Sequence, residues 1–334
     1  MTKKQLPSEL RLNIVSGDWV IIATGRARRP ETFAENKRIK EAVSPSKCPF
    51  CRPDILDKSV LTLNKPDGSW FISSIPNDFP ALCPEEGLSR RKEGPYEIMN
   101  GYGEHEVIIT ADHERQMAQF SQEEMELVVE LYQKRYLDLT KKENIKYISI
   151  FHNHGKEAGA SVAHPHSQLI AVPVLDPHVR KSLDGAEAYY LKRKKCAYCE
   201  MLAWDIKDGR RIIYQNEKFV VLCPFASQVS FEVRIYPKKH QARFGEMAPD
   251  EKALFADAFL RGLSSIYRKL KDPAYNFYIH TAPVDGPAGE KYNKYHWHLN
   301  ILPKTAIMAG FELGAGIEIS TVEPEKAAEF LRSE

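Results

Sequence analysis

Two divergent copies of one pattern run through the chain, and this duplication constrains the fold more than any other feature. Laying Cys48-Pro-Phe-Cys51 over Cys196-Ala-Tyr-Cys199 brings the rest into step. After the first pair come NDFPALCP, HEVIITADH, a helical stretch, YISIF and AHPHSQLIAVP. After the second come NEKFVVLCPF, FEVRIYPKKH, another helical stretch, YNFYIH and YHWHLNILP. Loop lengths differ, so the copies have drifted. The order of Cys-x-x-Cys, strand, strand ending in His, helix, strand and His-x-His strand is the same in both.

The helices follow from spacing. Ser121 and Glu124 have the form of a capping box, and Met125, Val128, Val129, Tyr132 and Tyr136 continue at helical intervals to about Lys142. In the second copy Pro249 suits a first turn, Phe255, Phe259, Gly262, Ile266 and Leu270 form the apolar stripe, and Asp272-Pro273 ends it. A third helix, from about Pro177 to Lys195, connects the copies. Each half is then a set of mainly antiparallel strands with a long helix packed on it, an α+β fold whose halves share or abut their sheets. The halves are expected at 1–180 and 190–334. Residues 12–26, LNIVSGDWVIIATGR, add a hairpin broken at Gly17-Asp18.

Strand side chains repeat every two residues, so His164, His166 and Gln168 share one face, as do His296, His298 and Asn300 in the second copy. Zinc takes four soft or borderline ligands in a tetrahedron. Each copy offers a set at equivalent places: Cys48, Cys51, His113 and His164, then Cys196, Cys199, His240 and His296. Redox chemistry is the rival for a lone Cys-x-x-Cys, but neither pair stands in the strand-to-helix context of a thioredoxin-type motif. Two sets in register predict two zinc ions per chain. Cys83 and Cys223, each between apolar neighbours, are expected as core thiols.

With His164 and His296 given to metal, His166 and His298 are free for other work. A neutral imidazole is a nucleophile and a good leaving group from phosphorus, and a carbonyl holding one nitrogen aims the other. That suits reversible group transfer, and it makes His298 a candidate substrate-binding residue beside His166. Charge developing on a phosphoryl group needs donors. The Gly159-Ala160-Ser161 turn, the Gln168 amide and Arg28 are candidates, although the Gly-Ala-Ser stretch taken alone reads first as a tight turn.

The 47 basic and 45 acidic residues are interspersed, giving a net charge of +2, which is not the footprint of a nucleic-acid binder. No apolar run approaches the roughly 20 residues that span a bilayer, and the start MTKKQLPSELRLN lacks a signal peptide's apolar segment. A cytoplasmic protein with neither membrane nor nucleic-acid partner is expected. A non-enzymatic zinc module would cluster Lys and Arg near the metal ligands, whereas these lie beside apolar strands.

The succession CPFC, NDFPAL, ADHE, FHNHGKEAGASVAHPHSQ and HWHLNILP followed by MAGFELGAG resembles the galactose-1-phosphate uridylyltransferase family of the histidine-triad superfamily, over essentially the whole chain. The resemblance implies a ping-pong reaction. In it His166 takes the nucleoside monophosphate from a nucleoside diphosphate sugar, and a sugar 1-phosphate or phosphate then accepts it. It implies that Ser161, Gln168 and Asn153 hold the phosphoryl group, that Arg28 binds phosphate and that Asn77 and Asp78 line the nucleoside pocket. It also implies a homodimer in which Phe311 and Glu312 reach the sugar in the partner's site. Ala306 stands where the galactose enzymes carry a lysine. The NHG and AGAS wording and the second Cys-x-x-Cys are similar to the branch that includes plant ADP-glucose phosphorylase. Uracil and adenine therefore remain alternatives for the base.

Overall fold

The computed structural model describes residues 8–24, 43–84, 87–286, 292–307 and 309–333. Strands β1 (Glu9–Leu12) and β2 (Trp19–Ile22) pair as a hairpin, but the first strand ends at Leu12, where the expected one began, and residues 13–18 form the connection. The first copy supplies β3 (Leu61–Asn64), β4 (Trp70–Pro76), an exposed hairpin of β5 (Arg90–Glu93) and β6 (Tyr96–Met99), then β7 (Glu104–Thr110), β8 (Tyr147–His154) and β9 (His166–Val172). The second supplies β10 (Ile212–Gln215), β11 (Phe219–Leu222), β12 (Val233–Pro237), β13 (Tyr275–His280) and β14 (His298–Pro303). β15 (Glu318–Ser320) lies parallel to β2. The helices are α1 (Gln122–Leu139), α2 (Pro177–Arg193), α3 (Ala197–Asp208), α4 (Lys252–Lys269), α5 (Gly310–Ala315) and α6 (Pro324–Arg332).

The halves share one sheet of ten strands, ordered β3-β4-β7-β9-β8-β13-β14-β12-β11-β10. Counting only the strands of this sheet, from the middle outward each copy contributes its fourth, fifth, third, second and first, so the repeat becomes a pseudo-two-fold. Its seam is the antiparallel pair β8 and β13, where Asn153 stands opposite Asn276. Ser121 starts α1 by accepting the Glu124 N–H at 3.2 Å, while Glu124 accepts the Ser121 N–H at 2.9 Å. The helix stops at Leu139, one turn before Lys142, because residues 140–142 close as turns. α4 follows a 3-10 turn at Pro249–Glu251, and Lys271 and Asp272 at positive φ end its run before Pro273.

Helices α1 and α4 bury Met125, Val128, Tyr132, Phe255, Phe259 and Ile266 against the sheet face carrying Ile148, Leu169, Phe277 and Leu299. Alternation leaves Ser149 and Asn153 of β8, His166 and Gln168 of β9, Asn276, Tyr278 and His280 of β13, and His298 and Asn300 of β14 on the opposite face. The functional side chains are therefore laid on a surface backed by the main core. Cys223 is fully buried, as expected, but Cys83 is exposed. It lies between Pro80 and Pro84, where prolines withhold ladder donors and the chain makes only one bridge, to Tyr102. The segment stays at the surface despite its apolar neighbours. No helix among the described residues is long and apolar enough to cross a membrane.

Candidate active site and metal clusters

Cys48, Cys51, His113 and His164 converge with all ligand atoms within 4.8 Å of one another, and so do Cys196, Cys199, His240 and His296. In the first cluster the Cys51 Sγ to His113 Nδ1, Cys51 Sγ to His164 Nδ1 and His113 Nδ1 to His164 Nδ1 separations are 3.2, 3.5 and 3.3 Å. A zinc tetrahedron built from standard bond lengths has edges of roughly 3.3 Å between nitrogens and about 3.6 Å between sulfur and nitrogen. The donor set therefore fits zinc without rearrangement.

The far nitrogens confirm the tautomers. His164 Nε2–H donates to the Thr110 carbonyl at 2.8 Å and His113 Nε2–H to that of Val43 at 2.7 Å. In the second cluster His296 donates to Pro237 at 2.9 Å and His240 to Asn293 at 2.8 Å. All four imidazoles thus turn a free Nδ1 lone pair to the cluster. The Cys196 pair opens α3, but α2 precedes it, so the strand-to-helix redox context is absent there.

On β9, His166 Nδ1–H donates to the carbonyl of His164 at 2.9 Å. Its Nε2 is left as the lone pair on the polar face. Burial lowers the His166 pKa, and the bond to His164 offsets part of that, so the imidazole is neutral at neutral pH. Phe50, inside the first Cys-x-x-Cys, packs on its ring at 5.1 Å. Beneath the strand, Ser167 Oγ is gripped by Tyr132 Oη at 2.5 Å and His152 Nδ1 at 3.1 Å.

Gln168, two residues on, reaches His105 of β7. The Ala81 N–H donates to His105 Nδ1 at 3.1 Å, so Nε2 carries the proton and donates to Gln168 Oε1 at 2.9 Å. The Gln168 NH2 is then left as a donor beside His166. Asn77 Nδ2 lies 3.1 Å from the same His105 nitrogen. One imidazole, missed in the sequence, therefore holds Gln168, which the resemblance assigns to phosphate, and lies against Asn77, which it assigns to the nucleoside. Asp78 is exposed and paired with Lys58 at 3.0 Å and Arg52 at 3.3 Å. The neighbouring Phe79 is 91% exposed.

Past β8 the chain turns at Gly155 and Gly159, whose φ values of 84° and 88° favour glycine. This bend carries the exposed Ser161 back toward β9. Asn276 of the second copy braces it, donating to Asn153 Oδ1 at 2.7 Å and to the Ala158 carbonyl at 2.8 Å. That cross-seam contact was also not expected from the sequence.

The structure brings His166, Gln168, Asn77 and Asn153 to one region of the sheet. His298 stands apart on β14, with β8 and β13 between it and β9. Glu312 accepts the Ala309 N–H at 3.1 Å, capping α5, and Phe311 is 49% exposed. Among the described residues neither is hydrogen-bonded or ring-packed to β9. Arg28 lies outside the described residues.

A family model described as galactose-1-phosphate uridyl transferase, N-terminal domain, matches residues 1–175, and a domain of unknown function (DUF4921) matches residues 99–333. An ADP-glucose phosphorylase of Arabidopsis thaliana is 34% identical over 97% of this chain and 92% of its own. A galactose-1-phosphate uridylyltransferase of Thermotoga maritima is 30% identical over 97% of this chain and 98% of its own. The solved structure of an ADP-glucose phosphorylase from Arabidopsis thaliana with bound ADP-glucose superposes with a TM-score of 0.82 at 30% identity, covering 98% of this chain and 99% of that one.

Proposed function

The chain belongs to the galactose-1-phosphate uridylyltransferase family of nucleotidyltransferases, and from that premise we propose that it transfers a nucleoside monophosphate through a covalent intermediate on His166. The supporting observation is the Nδ1–H bond to the His164 carbonyl, 2.9 Å long, which leaves Nε2 free beside a Gln168 amide donor. Nε2 attacks the α-phosphorus of a nucleoside diphosphate sugar, the bond to the bridging oxygen breaks, and sugar 1-phosphate leaves. Gln168 Nε2, Ser161 Oγ and Asn153 donate to the phosphoryl oxygens as charge builds. The imidazolium formed keeps its proton on Nδ1, against the carbonyl. A phosphate oxygen of the acceptor then displaces the histidine.

Asn77 and Asp78, with Arg28, complete the nucleotide pocket in this reading. Zinc in the two Cys/His clusters would fix the strands that carry His166 and His298, and its loss would loosen the fold. Phe311 and Glu312 act across a homodimer, completing the sugar site of the partner subunit. Uridylyl transfer between UDP-glucose and a hexose 1-phosphate is the reading the family name favours. Phosphorolysis of ADP-glucose, adenylyl transfer to inorganic phosphate, is favoured by the 34% identical relative. Turnover of UDP-, ADP- and GDP-sugars, each with galactose 1-phosphate and with phosphate, separates the two. Turnover of none by the zinc-loaded protein would overturn the nucleotide-sugar assignment.

A further inference from the structure

The second His-x-His strand borders a cavity of about 540 Å³, within the range of small-molecule sites. It lies over β8, β13, β14 and β12, roofed by the β1–β2 loop and the start of α2. Its polar lining includes Ser149, Asn276, Tyr278, His280, His298 and Asn300. Asn300 is 3% exposed, and its Oδ1 accepts no hydrogen bond. A buried carbonyl without a donor is costly unless something in the cavity supplies one.

The chemistry of the wall narrows the occupant. Its buried cation, Arg234, is paired with Glu232 at 2.8 Å, Lys181 is paired with Asp18, and Asp176 accepts the His178 and Val179 N–H groups at 2.7 and 3.1 Å. Glu318 and the exposed Lys304 add one charge of each sign. An anion therefore finds no buried, uncommitted cation. Among the described residues His280 and His298 belong to no third-ligand group of their own, so the cavity lacks a metal donor set. An apolar occupant would strand the amides. A hydroxyl-rich ring supplies a donor and an acceptor at each carbon and C–H faces for Tyr147, Phe151 and Tyr198, which also line the space.

We propose that this cavity is a second ligand site, for a neutral hexose or hexoside, with Asn300 and Tyr278 hydrogen-bonded to its hydroxyls. It meets the transfer centre at Asn153, which lines its edge, but the Tyr278 hydroxyl and the buried Asn300 amide stand one and two strands away, on β13 and β14, and binding there does not depend on the transfer reaction. The test is ligand-observed NMR titration of the zinc-loaded full chain with methyl α-glucoside and methyl α-galactoside, in the wild type and in His166→Gly, Asn300→Leu and Tyr278→Phe. Saturable binding of at least one glycoside is expected, unchanged in His166→Gly, at least about tenfold weaker in Asn300→Leu and a few-fold weaker in Tyr278→Phe. Should Asn300→Leu fail to fold, Tyr278→Phe decides alone, since it removes only a hydroxyl. The proposal is overturned by no saturable binding of either sugar, by binding indifferent to the folded cavity variants, or by binding that disappears with His166, which would place the sugar at the transfer centre.

Discussion

His166 and His298 occupy equivalent positions on β9 and β14, and each donates Nδ1–H to the carbonyl two residues earlier, at 2.9 and 3.0 Å. Their surroundings have diverged. Opposite His166 and Gln168 on the neighbouring strand stand Ile109 and Val107; opposite Asn300 stands Arg234, with Tyr236 two residues on. Tyr236 stacks on the His298 ring at 4.8 Å, His280 at 5.2 Å, and Tyr198 packs at 5.6 Å. The first half follows β8 with the glycine-bent turn bearing Ser161. The second half carries Pro283 and Val284 after β13, and residues 287–291 lie outside the described set. One frame, flanked by the two Cys/His clusters, thus presents the same imidazole geometry twice, and the groups around it separate the proposed transfer centre from a walled cavity.

The two histidines should differ most. His166→Gly should lower transfer by about a thousandfold or more while leaving metal content intact, and a preformed nucleoside phosphorimidazolide should restore turnover with the acceptor. His298→Gly should stay within about tenfold of wild type. Equal losses in steady-state assays of the two variants would mean that the halves have not specialised.

The metal clusters come next. Elemental analysis should find two zinc ions per chain, and His164→Gly should lose one with a large drop in melting temperature. Cys48 and His164 are buried, whereas in the second cluster only His296 is, and Cys196, Cys199 and His240 line a surface groove of about 460 Å³. A chromogenic chelator should therefore release the second ion first, a phase that Cys199→Ser abolishes. Simultaneous release would remove this difference between the halves.

Within the first half, His105 holds Gln168 in place. Replacing it with Leu frees Gln168 and should cut kcat by about 10- to 100-fold, with the smaller effect on KM, and His105→Gln should recover part of it. A purely structural role would show instead as lost thermal stability with unchanged kcat.

The smallest effect lies at the helix starts. Burial pushes the Glu124 carboxyl up, but hydrogen bonds from Arg115, Lys65 and the Ser121 backbone outweigh it and hold the pKa at about 2. Because the folded value is depressed, this stability is present above the ordinary 4.5 and is lost as pH falls from there toward 2. Glu124→Gln should flatten that part of the acid-unfolding curve. Its counterpart Glu251 accepts the Gln241 amide and the Ala248 N–H.

The frame was legible because its signals are local or repeated. Cys-x-x-Cys spacing, the two-residue period of His164, His166 and Gln168, and the Ser121–Glu124 cap each lie within a few residues, and the second copy checked the first. What escaped depends on strand neighbours far apart in sequence. His105 meets Gln168 only because β7 pairs with β9, and Asn276 meets Asn153 only because β8 pairs with β13 across the seam. Arg90–Glu93 and Tyr96–Met99 form a hairpin with no buried face, so no apolar alternation announced it. Cys83 misled for the converse reason, since apolar neighbours between prolines do not make a core strand.

If the halves have specialised as proposed, the first half alone forms the covalent intermediate. Incubating the zinc-loaded protein with a radiolabelled nucleoside diphosphate sugar, without acceptor, should leave an acid-labile, base-stable label. Peptide mapping of the trapped adduct by mass spectrometry should place one nucleoside monophosphate on His166 and none on His298, and acceptor should discharge it. Label on His298, or transfer with no protein-bound label at any time during turnover, would contradict the account.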